Sequence, residues 1–201
     1  MTRFAYIHGF NSGAGSRSAR LLDELTGAPV LRLAYDYATP FRECLASLER
    51  QLDEALDPRA DRLILMGCSL GGFYSLQLRH PAIAHVLAWN PAVFPALQLR
   101  QFLGRNTRFS DGVEWTFTEE ACRSYAKAPD PRPWRSCAAE ACPGTAAVPP
   151  ARTIFLGDRD EVLDSELAQA YWEGHADIRR IHAAHSIEDY TPMAGDIMSH
   201  A

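Results

Sequence analysis

The sequence predicts an α/β fold in which helices flank a mostly parallel central sheet. Three observations carry that expectation. Apolar runs of strand length recur along the 201 residues, most are followed by a turn and a helical pattern, and a Gly-x-Ser-x-Gly pentapeptide joins one such run to one such helix. Strands alternating with helices read as successive βαβ units, whose crossovers make neighbouring strands parallel.

The first run covers residues 3–8, Arg3 to His8, and a helical pattern follows over 16–25. A second run spans 29–34. The clearest helix is 39–56: Thr39 is placed to cap it, Pro40 suits its first turn, and Phe41, Leu45, Leu48, Leu52 and Leu56 recur at spacings of three and four. That stripe reads as core-facing. The run at 62–66 leads through the pentapeptide into a helix over 70–80, and further strands are expected at 85–89, 152–156 and 177–182. Helices are expected at 96–103 and 165–173, with Asp164 or Ser165 capping the latter, and Thr191-Pro192 should restart or bend a last one. The connection 91–151 differs in character. Six prolines between 128 and 150 rule out a continuous helix, so the segment reads as a lid-like excursion over the sheet edge, within one domain of 1–201.

Composition narrows the function classes. With 47% apolar and 22% charged residues the chain is normally globular, and a net charge of −5 matches neither a polyphosphate backbone nor an anionic membrane face, so no nucleic-acid partner is expected. No stretch has the length of a signal peptide's apolar region or of a membrane span, which leads us to expect a cytoplasmic protein without membrane insertion. The five cysteines, Cys44, Cys68, Cys122, Cys137 and Cys142, are scattered and contain no C-x-x-C pair, a pattern that suits a reducing compartment and supports neither a disulfide framework nor structural zinc.

The strongest chemical signal is Gly67-Cys68-Ser69-Leu70-Gly71, set between an apolar strand and a helical run. A serine raised on such a sharp turn brings backbones together two residues to either side, where only glycine avoids a Cβ clash, and it sits at a helix N-terminus that favours negative charge. Serine is a weak nucleophile and needs a base, and the base needs an orienting acid; on this strand–turn–helix pattern both follow downstream, acid first. Gly157-Asp158-Arg159-Asp160-Glu161 follows the strand at 152–156, and Asp160 is our choice of acid, with Asp158 its main rival and Glu161 and Asp164 behind. His185 stands on the loop beyond the last strand and is the expected base; His182 should end that strand, and His175 and His200 read as surface. Ser186 and Asp189 have capping-box spacing, so a helix is expected just after the base. The oxyanion would be met by the Leu70 N–H and by a donor from the loop His8-Gly9-Phe10-Asn11, with the Phe10 N–H the best choice.

Taken in order, His8-Gly9-Phe10-Asn11-Ser12, Gly67 to Gly72, Asn90-Pro91-Ala92-Val93 and Asp160-Glu161-Val162-Leu163-Asp164 resemble the YqiA-type esterases, small bacterial serine hydrolases of the α/β-hydrolase fold. The resemblance runs from Phe4 to about Ile187. It implies a triad of Ser69, Asp160 and His185 that hydrolyses short-chain acyl esters, or thioesters through the same chemistry, with no cofactor and no metal. Phe102, Phe109, Trp115 and Trp134 could line an apolar acyl pocket, or simply anchor the excursion. Two other readings compete. Gly13-Ala14-Gly15-Ser16-Arg17-Ser18 with Asp36 approximates a dinucleotide fingerprint, but it begins too far beyond the strand and has serine as its third glycine. A binding protein without turnover is opposed by the intact serine, acid and histidine.

Overall fold

The computed structural model describes residues 1–133 and 149–199. Trp134, Cys137, Cys142 and His200, singled out above, lie outside the described residues. Six strands form one parallel sheet: β1 (Thr2–Ile7), β2 (Leu31–Leu33), β3 (Arg62–Cys68), β4 (Ile83–Trp89), β7 (Ala151–Arg159) and β8 (Asp177–Ala184), in the order β2-β1-β3-β4-β7-β8. Register aligns their C-terminal ends. Ile7 pairs with Gly67, Gly67 with Ala88 and Ala88 with Ile154, so the loops leaving β1, β3, β4 and β7 emerge along one rim.

The central strands are buried on both faces, which is why they read as continuous apolar runs instead of alternating ones. One face of the sheet, including Ala5, Ile7, Leu63, Leu65, Ala88 and Ile154, packs against α2 (Phe41–Ala55), α3 (Leu70–Gln77) and α6 (Ser165–Trp172). The opposite face, with Tyr6, Met66, Trp89 and Phe155, packs against α1 (Arg17–Thr26) and the C-terminal α7 (Ala194–Met198). This doubly covered parallel sheet has the layering of the α/β-hydrolase fold. Among the described residues, no helix is long and apolar enough to cross a membrane.

The α2 stripe is core-facing as expected, with Phe41, Cys44, Leu48 and Leu52 buried. Its start is corrected. Pro40 occupies the capping position, because the Thr39 hydroxyl is drawn back to the Asp36 carbonyl (2.7 Å), and the free Phe41 N–H is met from outside the helix by Ser124 Oγ (2.7 Å). Nor does a helix begin just after His185. Asp189 instead accepts from the Thr191 N–H (2.8 Å) at the head of a single 3₁₀ turn, Thr191–Met193, which Pro192 opens ahead of α7. His182 lies inside β8, which runs on to Ala184. In the long connection from β4 to β7, the helix expected at 96–103 is present as α4 (Pro95–Gln98) running into a 3₁₀ turn (Leu99–Phe102). It is followed by structure not anticipated from the sequence: an antiparallel hairpin of β5 (Gly104–Thr107) and β6 (Glu114–Phe117), and α5 (Glu119–Ser124).

Candidate active site

Ser69 sits between β3 and α3 with φ 56° and ψ −122°, a left-handed conformation that a residue with a Cβ adopts only under constraint. The two flanking glycines supply that constraint. A Cβ on Gly67 would lie 2.4 Å from the Gly71 carbonyl oxygen, so strand and helix close on each other there. Gly71 faces a different neighbour from the one expected: its Cβ would lie 2.1 Å from the carbonyl oxygen of Ile7, so it docks α3 onto the end of β1. The Ser69 N–H is held by the Trp89 carbonyl (2.9 Å), and its own carbonyl accepts from Phe73 and Ala92.

The acid and base expected from chain order come together. His185 Nδ1 donates to both carboxylate oxygens of Asp160, at 3.0 Å each, and the pair is enclosed: the Asp160 side chain is 2% exposed and that of His185 14%. Burial pushes the Asp160 carboxyl up. The hydrogen bond from His185 and the N–H groups of Leu163 and Val162 (2.8 Å each) outweigh burial and hold the group below its ordinary range, so it faces the imidazole as a carboxylate. The rivals Asp158 and His182 pair with one another instead, at 2.9 Å, on an open surface where they are 44% and 73% exposed. Glu161 accepts from the His185 main-chain N–H (3.0 Å), and Asp164 caps α6 through the N–H groups of Glu166 and Leu167.

His185 lies beside the elbow. Cys68 Sγ, on the residue before the serine, points at the His185 carbonyl (3.7 Å), and buried Asn90 donates to that carbonyl as well (3.1 Å). Asn90, met in the sequence only within the Asn90-Pro91-Ala92-Val93 motif, is thus placed against the main chain of His185. Burial pushes the Cys68 thiol up to about 12, so this cysteine stays a neutral thiol next to the serine. Among the described residues no hydrogen bond joins the Ser69 hydroxyl to His185, so of the three expected residues the structure joins the acid to the base and leaves the serine beside them.

On the other side of Ser69 stands the loop after β1. A Cβ on Gly9 would touch Ser69 Cβ and the Cys68 carbonyl at 3.4 Å, which puts the loop backbone in contact with the elbow. His8 is buried, stacks on Tyr35 (4.7 Å between ring centres) and hydrogen-bonds the Gly9 carbonyl through Nδ1 (2.9 Å). Burial pushes the His8 imidazole down, which keeps it neutral with Nδ1–H as the donor. Because a peptide unit is planar and trans, fixing the Gly9 carbonyl turns the Phe10 N–H to the opposite side. The Phe10 ring is held among Tyr37, Phe102, Trp115 and Phe117 at 5.1–5.4 Å. Phe102 and Trp115 thus anchor the excursion onto this loop, whereas Phe109 is 80% exposed.

A family model described as "Uncharacterised protein family (UPF0227)" matches residues 3–200. Solved structures of the same architecture include Est1E from Butyrivibrio proteoclasticus, at 14% identity and TM-score 0.67, covering 98% of this chain and 85% of that one. A Paleococcus ferrophilus monoacylglycerol lipase gives 17% identity and TM-score 0.66 over 98% and 94% of the two chains. The methylesterase MES16 from Arabidopsis gives 14% and 0.62 over 96% and 94%. At these identities the likeness is one of fold.

Proposed function

The chain belongs to the YqiA-type family described as UPF0227, and from that premise we propose that it is a serine hydrolase of small acyl esters, working through Ser69, His185 and Asp160. The observation that carries this reading is the enclosed Asp160–His185 pair beside a strained serine turn. His185 Nε2 takes the Ser69 proton as Oγ attacks the acyl carbonyl. Asp160 fixes the tautomer and stabilises the imidazolium, and the Leu70 and Phe10 N–H groups meet the oxyanion. The imidazolium then protonates the departing alcohol. Water, deprotonated by the same ring, releases the acid and returns the proton to Ser69. The ester-directed names of the fold's other members, Est1E, a lipase and a methylesterase, support an acyl substrate.

The test is covalent. A fluorophosphonate should label wild type at Ser69 and leave Ser69→Ala unlabelled and without turnover of aryl esters of increasing acyl length. Labelling at another residue, or undiminished turnover in Ser69→Ala, rejects the nucleophile. Acyl-CoA thioesters run alongside decide whether the departing group is an alcohol or a thiol.

A further inference from the structure

Given His185 as the base, on which this step rests, we infer that Asn90 is a positioning residue that sets the backbone of His185 and thereby aims its imidazole. Asn90 follows β4 directly, is 2% exposed and has φ 42°, a region that asparagine, aspartate and glycine enter most readily. Its side chain ties together three elements. Oδ1 accepts the Gly157 N–H of β7 (2.7 Å), while Nδ2 donates to the carbonyls of Ala184 and His185 (3.1 Å each).

The two acceptors are what matter. The Ala184 carbonyl belongs to the peptide unit entering the His185 Cα and the His185 carbonyl to the unit leaving it, so one amide group holds both peptide planes that meet at that atom. With both planes fixed, φ and ψ of His185 are fixed, and so is the direction in which its Cα–Cβ bond leaves the chain. Glu161 grips the entering plane from its other edge, through the His185 N–H (3.0 Å). The acid loop and the Asn90 amide therefore hold the base from opposite sides, while Asp160 holds the ring itself.

Asn90→Asp tests this with little change in shape. Aspartate tolerates the same φ and keeps the acceptor for Gly157, but it sets an oxygen against two carbonyls in place of two donors. With active sites titrated, kcat should fall about 100-fold while KM stays near wild type, as for a misaimed base. The rate of fluorophosphonate labelling, which uses the same base, should fall with it. A folded variant with wild-type kcat per titrated site, even one of lowered melting temperature, overturns the inference. Asn90→Gly, which keeps the backbone and removes the whole amide, should behave alike. If neither variant folds, wild-type NMR decides: Asn90 side-chain amide protons protected from exchange and close to the His185 Hα support the clamp, and exchange at the solvent rate overturns it. His185→Ala, run in parallel, separates the two levels. Its inactivity with a fully active Asn90→Asp removes only the clamp, whereas an active His185→Ala removes the base assignment and the clamp together.

Discussion

At the scale of single residues, two aspartate–histidine pairs lie next to each other at the ends of β7 and β8, and burial separates them. The enclosed Asp160–His185 pair interacts in a low-dielectric setting, whereas the Asp158–His182 pair is screened by water. Asp160→Asn should therefore lower kcat by about 10⁴-fold, the loss seen when an orienting carboxylate is neutralised in place. Asp158→Asn should leave it within about threefold, as for an exposed pair. A steady-state comparison of the two variants checks this. Asp160 also predicts a pH dependence of stability. Its carboxyl titrates below the unfolded value of about 3.9, so its contribution is fully present above that pH and is lost as pH falls through the folded value. Melting temperature against pH should thus fall more steeply in acid for wild type than for Asp160→Asn. Chain order pointed to Ser69, Asp160 and His185 as the proposed triad, and because each follows a strand on the same rim, Asp160 and His185 meet beside the Ser69 turn. The contacts of Asn90 were not legible, since they arise only when three strand ends separated by about half the chain are brought side by side.

Among the elements, the strands were legible from apolar runs because both sheet faces are covered. The β5–β6 hairpin was not: Gly104–Thr107 and Glu114–Phe117 are short and mostly polar, and the nearby prolines drew the reading toward irregular chain. The α2 terminus shows a second kind of miss. Its first N–H, that of Phe41, is satisfied by Ser124 from α5, and no local pattern around Thr39 contains that information. Ser124→Ala should cost about 1 kcal/mol by chemical denaturation, as for other lost caps, and should loosen α5 along with α2. Gly71→Ala should be far more damaging, about 3 kcal/mol or more, because the clash is with β1 backbone that cannot swing aside. Recovery of a folded, fully active Gly71→Ala protein would contradict the close docking of α3 on β1.

For the whole molecule, the hairpin of the excursion is tied to the rim through Asn11 as well as through the aromatic cluster around Phe10. Asn11 (φ 57°) donates to the Thr107 carbonyl, accepts from Trp115 Nε1, both at 2.8 Å, and offers its own carbonyl to the Phe109 N–H (2.9 Å). Asn11→Ala should therefore raise amide hydrogen exchange in the hairpin while leaving the central strands protected. Equal loosening of hairpin and sheet would show that the two open as one unit. The contact of Gly71 with the carbonyls of Ile7 and His8 reaches further. It makes main chain, with no side chain in between, the spacer that separates the two N–H groups assigned to the oxyanion. Substitutions around the rim can then retune which acyl groups are accepted without disturbing that spacing, leaving substrate preference free to drift during evolution while the chemistry stays put.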